Sequence, residues 1–581
     1  MVTSLADSGA GSLRSAMVTA NQTAATDVIV FSDGTGGELD FQDGVPRVIS
    51  LASPLVVTEP LEIRGPGKNL LALSGGGDDD FQIEVGETRV LLMTGSTVTN
   101  PHRITDLTIR DGTSLLGGAN IRVFGSLELS RCEVRDGRAV AAAPNVNFNS
   151  TQNADGGGLF HSGGDLLVEE CDFVGNGTFG NFSQGGGLYS ESGNATIRKS
   201  RIYLNTTDGF VSEGGGIGLR SVTVMEDCEV SENETIDESS GGGGIYTDDE
   251  FLARNTTISG NIVGAVTGIM GYSVGGAFAN VGSDDARFEH CTIVDNEAPS
   301  GTGQGGGISS ASFGEISFFN TILIGNQAVD LERIPSAFTQ FADLGYNFFG
   351  TGDGLDLIPT QQTTSVYGIT SAVGLLSDLG FHGGTTRTYR LLAAASSGQL
   401  TAVDSGPTRV NGELVSQVDL VFDQRGGDFS RVVNGRLDVG AYEFQAFIDG
   451  DSDGVPDAVE EIVDGLDGTV ADGDGDLDGD GLSNLDEYRF LGIAAISDAD
   501  ARLDFGVEPL PTSGMVSINF NTSPNREYRL RVATDLAAGL QETSADFMEF
   551  PEGGSQQLQF ILAGAQTFFQ LEGRVPAELL D

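Results

Sequence analysis

The chain has 581 residues, among them 85 glycines and no tryptophan, with 83 acidic against 30 basic side chains and a formal net charge of −53. Such a surface repels nucleic acid and anionic lipid and gathers divalent cations. No apolar run is long enough for a membrane helix, and Met1-Val2-Thr3 leads straight into polar sequence, which reads as a mature form given a new methionine rather than a signal peptide.

Residues 12–21 carry a short helix pattern that Ser12 can cap, placed where a helix would cover the open first coil of a repeat array. Residues 28–111 read as irregular strands. From about residue 117 to 327 one phrase recurs: a glycine run, a hydrophobe and, about 20 residues on, an asparagine. The runs begin at Gly156, Gly185, Gly214, Gly242, Gly275 and Gly305. The asparagines are Asn176, Asn205, Asn233, Asn261, Asn296 and Asn326, each three residues after an apolar residue.

A period of 28 to 35 residues with little helix-forming sequence predicts one solenoid coil per repeat. Each coil reads as three short strands, for example 158–161, 166–169 and 171–174. Stacking coils about 4.8 Å apart turns every repeat position into a column. Leu159, Leu188, Ile217, Ile245, Phe278 and Ile308 form one apolar column, and Val168, Ile197, Met225, Ala253, Phe288 and Phe318 a second. The expected fold is all-β: a right-handed parallel β-helix, followed by a calcium-binding linker and a small C-terminal antiparallel β-sandwich.

Cys132, Cys171, Cys228 and Cys291 share a column with Ser200, Thr256 and Thr321, which favours buried free thiols; only Cys132 and Cys171 could come close enough to bridge. Glu169, Arg198, Glu226, Arg254 and Glu289 alternate in sign over five coils and predict a cross-strand ion-pair ladder. Phe160, Tyr189 and Tyr246 share an outward column interrupted by Gly218, a ring strip able to stack on sugars unless loops such as residues 139–155 cover it. Lys199, the obvious base for a lyase, lies between Glu170 and Asp227 in its column, and these stabilise its ammonium form. His102, His161, His290 and His382 show no metal-ligand spacing.

Residues 380–391, with Asp423-Gln424-Arg425-Gly426 and Asp438-Val439-Gly440-Ala441-Tyr442-Glu443, break the period and are expected to form the far cap. The paired glycine and apolar-x-x-Asn phrases resemble the repeats of bacterial polymorphic outer membrane proteins, although only Phe173 to Asn176 has the strict Phe-x-x-Asn form. The opening and closing phrases resemble secreted bacterial β-helix proteins of the choice-of-anchor Q type over roughly residues 2–445. That resemblance implies secretion or surface display and brings no catalytic residues.

Residues 449–487 hold 15 acidic residues and no lysine or arginine. Asp449, Asp451, Asp453, Gly454, the Val455 carbonyl, Asp457 and Glu460 fall at positions 1, 3, 5, 6, 7, 9 and 12 of a calcium loop. Asp476, Asp478, Asp480, Gly481, the Leu482 carbonyl, Asn484 and Glu487 repeat the register. A loop wrapping a cation turns alternate side chains inward, and helical stretches at 458–463 and 485–490 bring each twelfth-position glutamate over the ion. The tandem resembles the calcium repeats of thrombospondin type 3 and dockerin-like modules. The last 80 residues alternate as strands at 515–520, 528–532, 557–562 and 567–571.

The expected organisation is an N-terminal cap and β-helix over 1–345, final coils and cap over 346–446, calcium repeats over 447–492 and a sandwich over 493–581. The expected role is a secreted, extracellular or cell-surface, calcium-stabilised β-helix acting in adhesion, matrix assembly or glycan contact. Polysaccharide or surface and matrix proteins are its expected partners, with self-association open. The alternative is a carbohydrate-active enzyme, a polysaccharide lyase or glycoside hydrolase working on a β-helix face.

Overall fold

The computed structural model describes residues 1–35, 37–77, 84–141, 153–236, 241–264, 274–298, 304–311, 313–327, 329–333, 340–392, 400–403, 405–407, 422–427, 429–431, 437–444, 453–455, 463, 465–467, 470–479 and 482–490, and the backbone of the strands within 505–574. They fall into two compact units, 1–425 with 436–443, and 426–435 with 444–581.

The first unit is a right-handed parallel β-helix. One coil shows the plan: Leu159–Ser162 in a first sheet, Asp165–Glu169 in a second, Asp172–Val174 in a third and Gly177–Phe179 in a fourth. Among the described residues these sheets contain 10, 11, 11 and 6 strands, each paired in parallel with the same strand of the next coil. The fourth ladder was not expected from the repeats; its strands have two or three residues, too few for a readable alternation.

The register is the one the repeats predict. Leu159 pairs with Leu188, Leu188 with Ile217, Ile217 with Ile245, Ile245 with Phe278 and Phe278 with Ile308, all fully buried. Val168, Ile197, Met225, Ala253, Phe288 and Phe318 line the opposite wall of the same core. Between the second and third sheets the chain turns at one residue of positive φ, a column of Arg131, Glu170, Lys199, Asp227, Asn255, His290 and Asn320 with φ from 44 to 55°. The next residue's sulfur or hydroxyl then accepts a backbone N–H from the coil before, as from Cys132 to Cys171 Sγ at 3.3 Å and from Cys171 to Ser200 Oγ at 3.1 Å. All four cysteines are buried and free.

The asparagine column runs through the interior as a continuous hydrogen-bond file. Asn120 donates its side-chain amide to Asn176, Asn176 to Asn205, and so on through Asn233, Asn261, Asn296 and Asn326, at 2.8 to 3.1 Å. Asp330 closes the file, accepting from Asn326 at 2.8 Å. Each amide from Asn176 onward also donates to a carbonyl of the preceding coil, as Asn233 does to Ile202 at 2.8 Å, so one side chain ties three coils. The glycine run packs against this file. An added Cβ at Gly186 would lie 2.3 Å from the carbonyl oxygens of both Gly215 and Thr206, and one at Gly187 would lie 3.0 Å from the Asn205 amide.

The near end is closed by a helix over Leu13–Ala20, capped by Ser12, whose Oγ accepts the Ser15 N–H at 3.2 Å; Leu13, Met17 and Ala20 are buried beneath it. The far end departs from expectation. Residues 343–376 close it: Asp343 accepts from Asn347, Gln362, Ser365 and Tyr367, Leu355 and Ile358 join the core, and Tyr367 stacks on Phe349.

The segments expected to form that cap lie instead along the outer face of the third sheet. Arg387 bonds to Glu229 at 2.7 Å, Gln424 accepts from Thr257, Tyr389 bonds to Asp295 at 2.8 Å and Ala441 donates to Thr292 at 3.0 Å. Small and acidic residues in the Glu229, Thr257 and Thr292 column leave polar room for this strap. Its two phrases meet in one buried cluster, where Arg425 pairs with Asp423 at 2.6 Å, donates to the Glu443 carbonyl at 2.6 Å and lies over the Tyr442 ring.

In the second unit, Asn484–Phe490 is helical and Val455, Val463 and Tyr488 share a small core. Phe505–Pro509, Met515–Thr522 and Gly554–Ile561 pair antiparallel in one sheet, and Glu527–Ala533 with Phe568–Arg574 in another.

Losing one amide from the file leaves several buried groups unpaired, each costing about 1–3 kcal/mol. Asn233→Ala is expected to lower unfolding stability by about 3 kcal/mol, read as a shift in denaturation midpoint, whereas Asn194→Ala, at an exposed surface bond, stays within about 0.5 kcal/mol.

Candidate functional site

The first sheet's outward column reads Arg122, Phe160, Tyr189, Gly218 and Tyr246 in register. Phe160 and Tyr189 have ring centroids 5.6 Å apart, and Phe124 joins them at 6.0 Å from Phe160. Arg122 lies over both phenylalanines, 4.5 Å from the Phe160 centroid and 5.2 Å from that of Phe124. The rings therefore form a file, as expected, but not an open strip: Phe160, Tyr189 and Tyr246 are only 6%, 3% and 5% exposed. Phe124, at 41%, is the part of the file that meets solvent.

The cover comes partly from the turn before each glycine run. The first glycine of each run has a φ of 67 or 68° at Gly156, Gly185, Gly214 and Gly242, which folds the chain back beside the strand. The residues just before, Asp155, Gln184 and Glu213, thus make a column of their own. A Cβ at Gly218 would lie 3.0 Å from Gln184 Cβ and 3.1 Å from the Tyr189 ring, so Gly218 is where these two columns close over the sheet.

This second column concentrates acid–base groups. Gln184 donates its backbone N–H to Asp155 at 2.9 Å and its side-chain amide to Glu213 at 2.6 Å. Tyr246 also bonds to Glu213. Burial pushes both carboxyls up to about 7, against the hydrogen bonds that favour ionisation. Burial likewise raises Tyr189 and Tyr246, with Asp155 and Glu213 respectively adding repulsion. Arg220 pairs with Asp248 at 3.3 Å beside them. Two coils separate Asp155 from Glu213, about 10 Å along the stack. The pair is legible in the sequence by aligning the residue before each glycine run, a column that carries no hydrophobic signal.

The other expected residues fall as follows. Arg254 bridges Glu226 at 3.7 Å and Glu289 at 2.7 Å, and Arg198 reaches Glu226 at 4.0 Å, so the ion-pair ladder forms over four coils, with Glu169 paired in register to Arg198. Lys199 is exposed on its turn, and the neighbouring Asp227 is pushed up to about 7 by burial. His102 and His161 are buried and driven down to about 4, which keeps both rings neutral as core groups.

Of the first expected calcium loop, Asp449, Asp451, Asp457 and Glu460 lie outside the described residues, as do Asp480 and Gly481 of the second. Asp453 accepts N–H bonds from Val455 and Gly473, which joins the first loop to the start of the second. Asp476 accepts from Gly479 at 2.8 Å. Asn484 turns its amide to the loop backbone, accepting from Leu477 at 2.9 Å and donating to the Asp472 carbonyl at 2.8 Å, so it braces the loop. Glu487 is wholly buried in the first turn of its helix, among Asp476, Asp478 and the Leu482 carbonyl in sequence. Burying a carboxylate in so acidic a segment is costly unless a cation offsets it, and the oxygen-only donor set fits calcium. Among the described residues no group of three or more His, Cys, Asp or Glu side chains is gathered to hold a metal.

Residues 82–320 match the family model for a right-handed β-helix region. No curated protein matches the chain.

Because the carboxyls of Glu213 and Asp155 sit at about 7 when folded, against 4.5 and 3.8 ordinarily, the native state holds protons that the unfolded chain releases. Their contribution is full below about pH 4 and is lost as pH rises through 7, roughly 3 kcal/mol for Glu213 and roughly 4 kcal/mol for Asp155. The melting temperature of Glu213→Gln is expected to depend less on pH between 4.5 and 7.5 than that of the parent chain, as followed by circular dichroism.

Proposed function

We propose that this protein is a secreted or cell-surface β-helix scaffold, stabilised by calcium, that serves adhesion, matrix assembly or glycan contact without catalysis. A right-handed β-helix is consistent with surface and carbohydrate-related proteins. The observation that carries the non-catalytic reading is the burial of the groups with perturbed acidity: Glu213, Tyr189 and Tyr246 are buried, with Asp155 half-buried beside them, rather than lining an open cleft. Contact with sugar would begin at the exposed ring, Phe124, with Arg122 beside it.

The bacterial origin, and the kinship to choice-of-anchor Q and polymorphic outer membrane repeats, belong to the same proposal, supported by the opening phrase and by the buried Asp423–Arg425–Glu443 cluster. Calcium would be held by Asp449, Asp451, Asp453, Asp457, Glu460 and the Val455 carbonyl, and by Asp476, Asp478, Asp480, Glu487 and the Leu482 carbonyl. Asn484 would serve as a loop brace or a water-mediated ligand. The ion's work there is to neutralise the loops and fix the thrombospondin-like or dockerin-like turn.

The second reading, a carbohydrate-active enzyme, is favoured by one observation: two carboxyls held near 7 on one β-helix face, suited to proton transfer. Incubation with neutral and acidic polysaccharides is expected to release neither reducing nor unsaturated ends; turnover lost in Glu213→Gln would establish the enzyme instead. Chelation is expected to lower the thermal transition of the segment 447–492 and to leave that of the β-helix unchanged, by differential scanning calorimetry with and without added calcium.

A further inference from the structure

The strap's hydrogen bonds to the outward column of the third sheet begin at Glu229, and its Phe381 reaches Arg201 one coil earlier. Before Glu229, the same outward column continues as Thr108, Glu133, Asp172 and Arg201, in register across successive coils. Asp172, buried like Thr108, is the hub of this stretch. One carboxylate oxygen accepts from Lys68 Nζ at 2.8 Å and the other from Arg201 Nε at 2.7 Å. Two cations thus share this carboxylate, on a chain that has only two lysines, while Glu133 and Glu229 flank the Asp172–Arg201 pair in the same column.

Arg201 is anchored through Nε alone. Neither of its terminal nitrogens has a hydrogen-bond partner among the described residues, and two rings lie against it: the guanidinium carbon lies 5.0 Å from the Tyr203 centroid and 5.2 Å from that of Phe381. Arg387, held by Glu229, lies 5.7 Å from the same Tyr203 ring and walls off the covered half of the face. Phe381, the outermost member, is 55% exposed.

We propose that this cluster binds the anionic group of a charged saccharide, with Arg201 and Lys68 taking the anion and Phe381 stacking on the sugar ring. The proposal deepens the glycan-contact reading and rests on it. An arginine whose Nε is already fixed presents its two terminal N–H groups as a rigid fork, the geometry that carboxylates and sulfates accept in two parallel bonds. The lysine adds a second charge within reach of the same anion. An exposed aromatic ring next to such a fork supplies what a free ion cannot use, an apolar surface for the C–H face of a pyranose. A neutral saccharide would leave the fork unanswered, and an anion without a ring would leave Phe381 in water.

The test is calorimetric titration of the full chain with length-matched neutral, carboxylated and sulfated oligosaccharides, and with acetate and sulfate alone. A charged oligosaccharide is expected to bind at least about tenfold more tightly than the neutral one and than either free ion, with Arg201→Gln and Phe381→Ala each weakening it about tenfold or more at unchanged melting temperature. Phe381→Ala keeps the test decisive if Arg201→Gln loosens the coil. Equal affinity for neutral and charged sugars, free ions binding as well as oligosaccharides, or indifference to both substitutions would overturn the site. Binding that survives those variants but is lost in Phe124→Ala would overturn this site alone and leave glycan contact standing. Binding to none of the sugars would overturn both.

Discussion

A side-chain amide buried in an apolar interior must find partners, and in this β-helix it finds them only in the neighbouring coils. Each asparagine from Asn176 to Asn326 accepts from the coil before, donates to the coil after and donates back to a carbonyl of the preceding coil. The file therefore has a direction, and it ends on a carboxylate, Asp330, which can accept without having to donate. Apolar columns alone would tolerate a coil slipping by two residues; the amide file does not, because every slip leaves buried N–H groups unpaired.

That fixed register sets what the outer faces can do. Since every outward residue lies over its equivalent, chemistry accumulates in lines: rings on the first sheet, alternating charges on the second, and a mixed line on the third. The lines are then either filled or covered. The backward turn at each glycine run presses Asp155, Gln184 and Glu213 over the rings, and Arg387, Tyr389, Gln424 and Ala441 of the strap occupy the later coils of the third sheet. Exposure is left at particular ends, at Phe124 and at Phe381, with Arg201 half-buried beside it.

Much of this was legible in the sequence because a solenoid makes register a matter of counting. The apolar columns, the cysteine column and the Glu226 to Glu289 ladder all follow from alignment of the repeats. The misses have physical reasons. Asn120 escaped because it stands where other coils have the third glycine of the run, while Gly137 stands in the asparagine position; the two exchange places, and the Asn120 amide fills the gap that Gly137 leaves. The strap was misplaced because period breaking says where the coils stop, not where the chain goes next. The burial of Phe160, Tyr189 and Tyr246 depends on turn geometry that residue types do not encode. In the acidic segment 449–487, the spacing of the acidic residues was plain, but the role of Asn484 as a backbone brace was not.

Hydrogen–deuterium exchange of the full native chain, resolved by peptide along residues 117–331, tests the central claim most directly. A continuous amide file predicts slow and closely similar exchange in every coil that contributes an asparagine, since opening one coil breaks bonds in both neighbours. Protection that differs sharply from coil to coil, with separate segments exchanging independently, would contradict it.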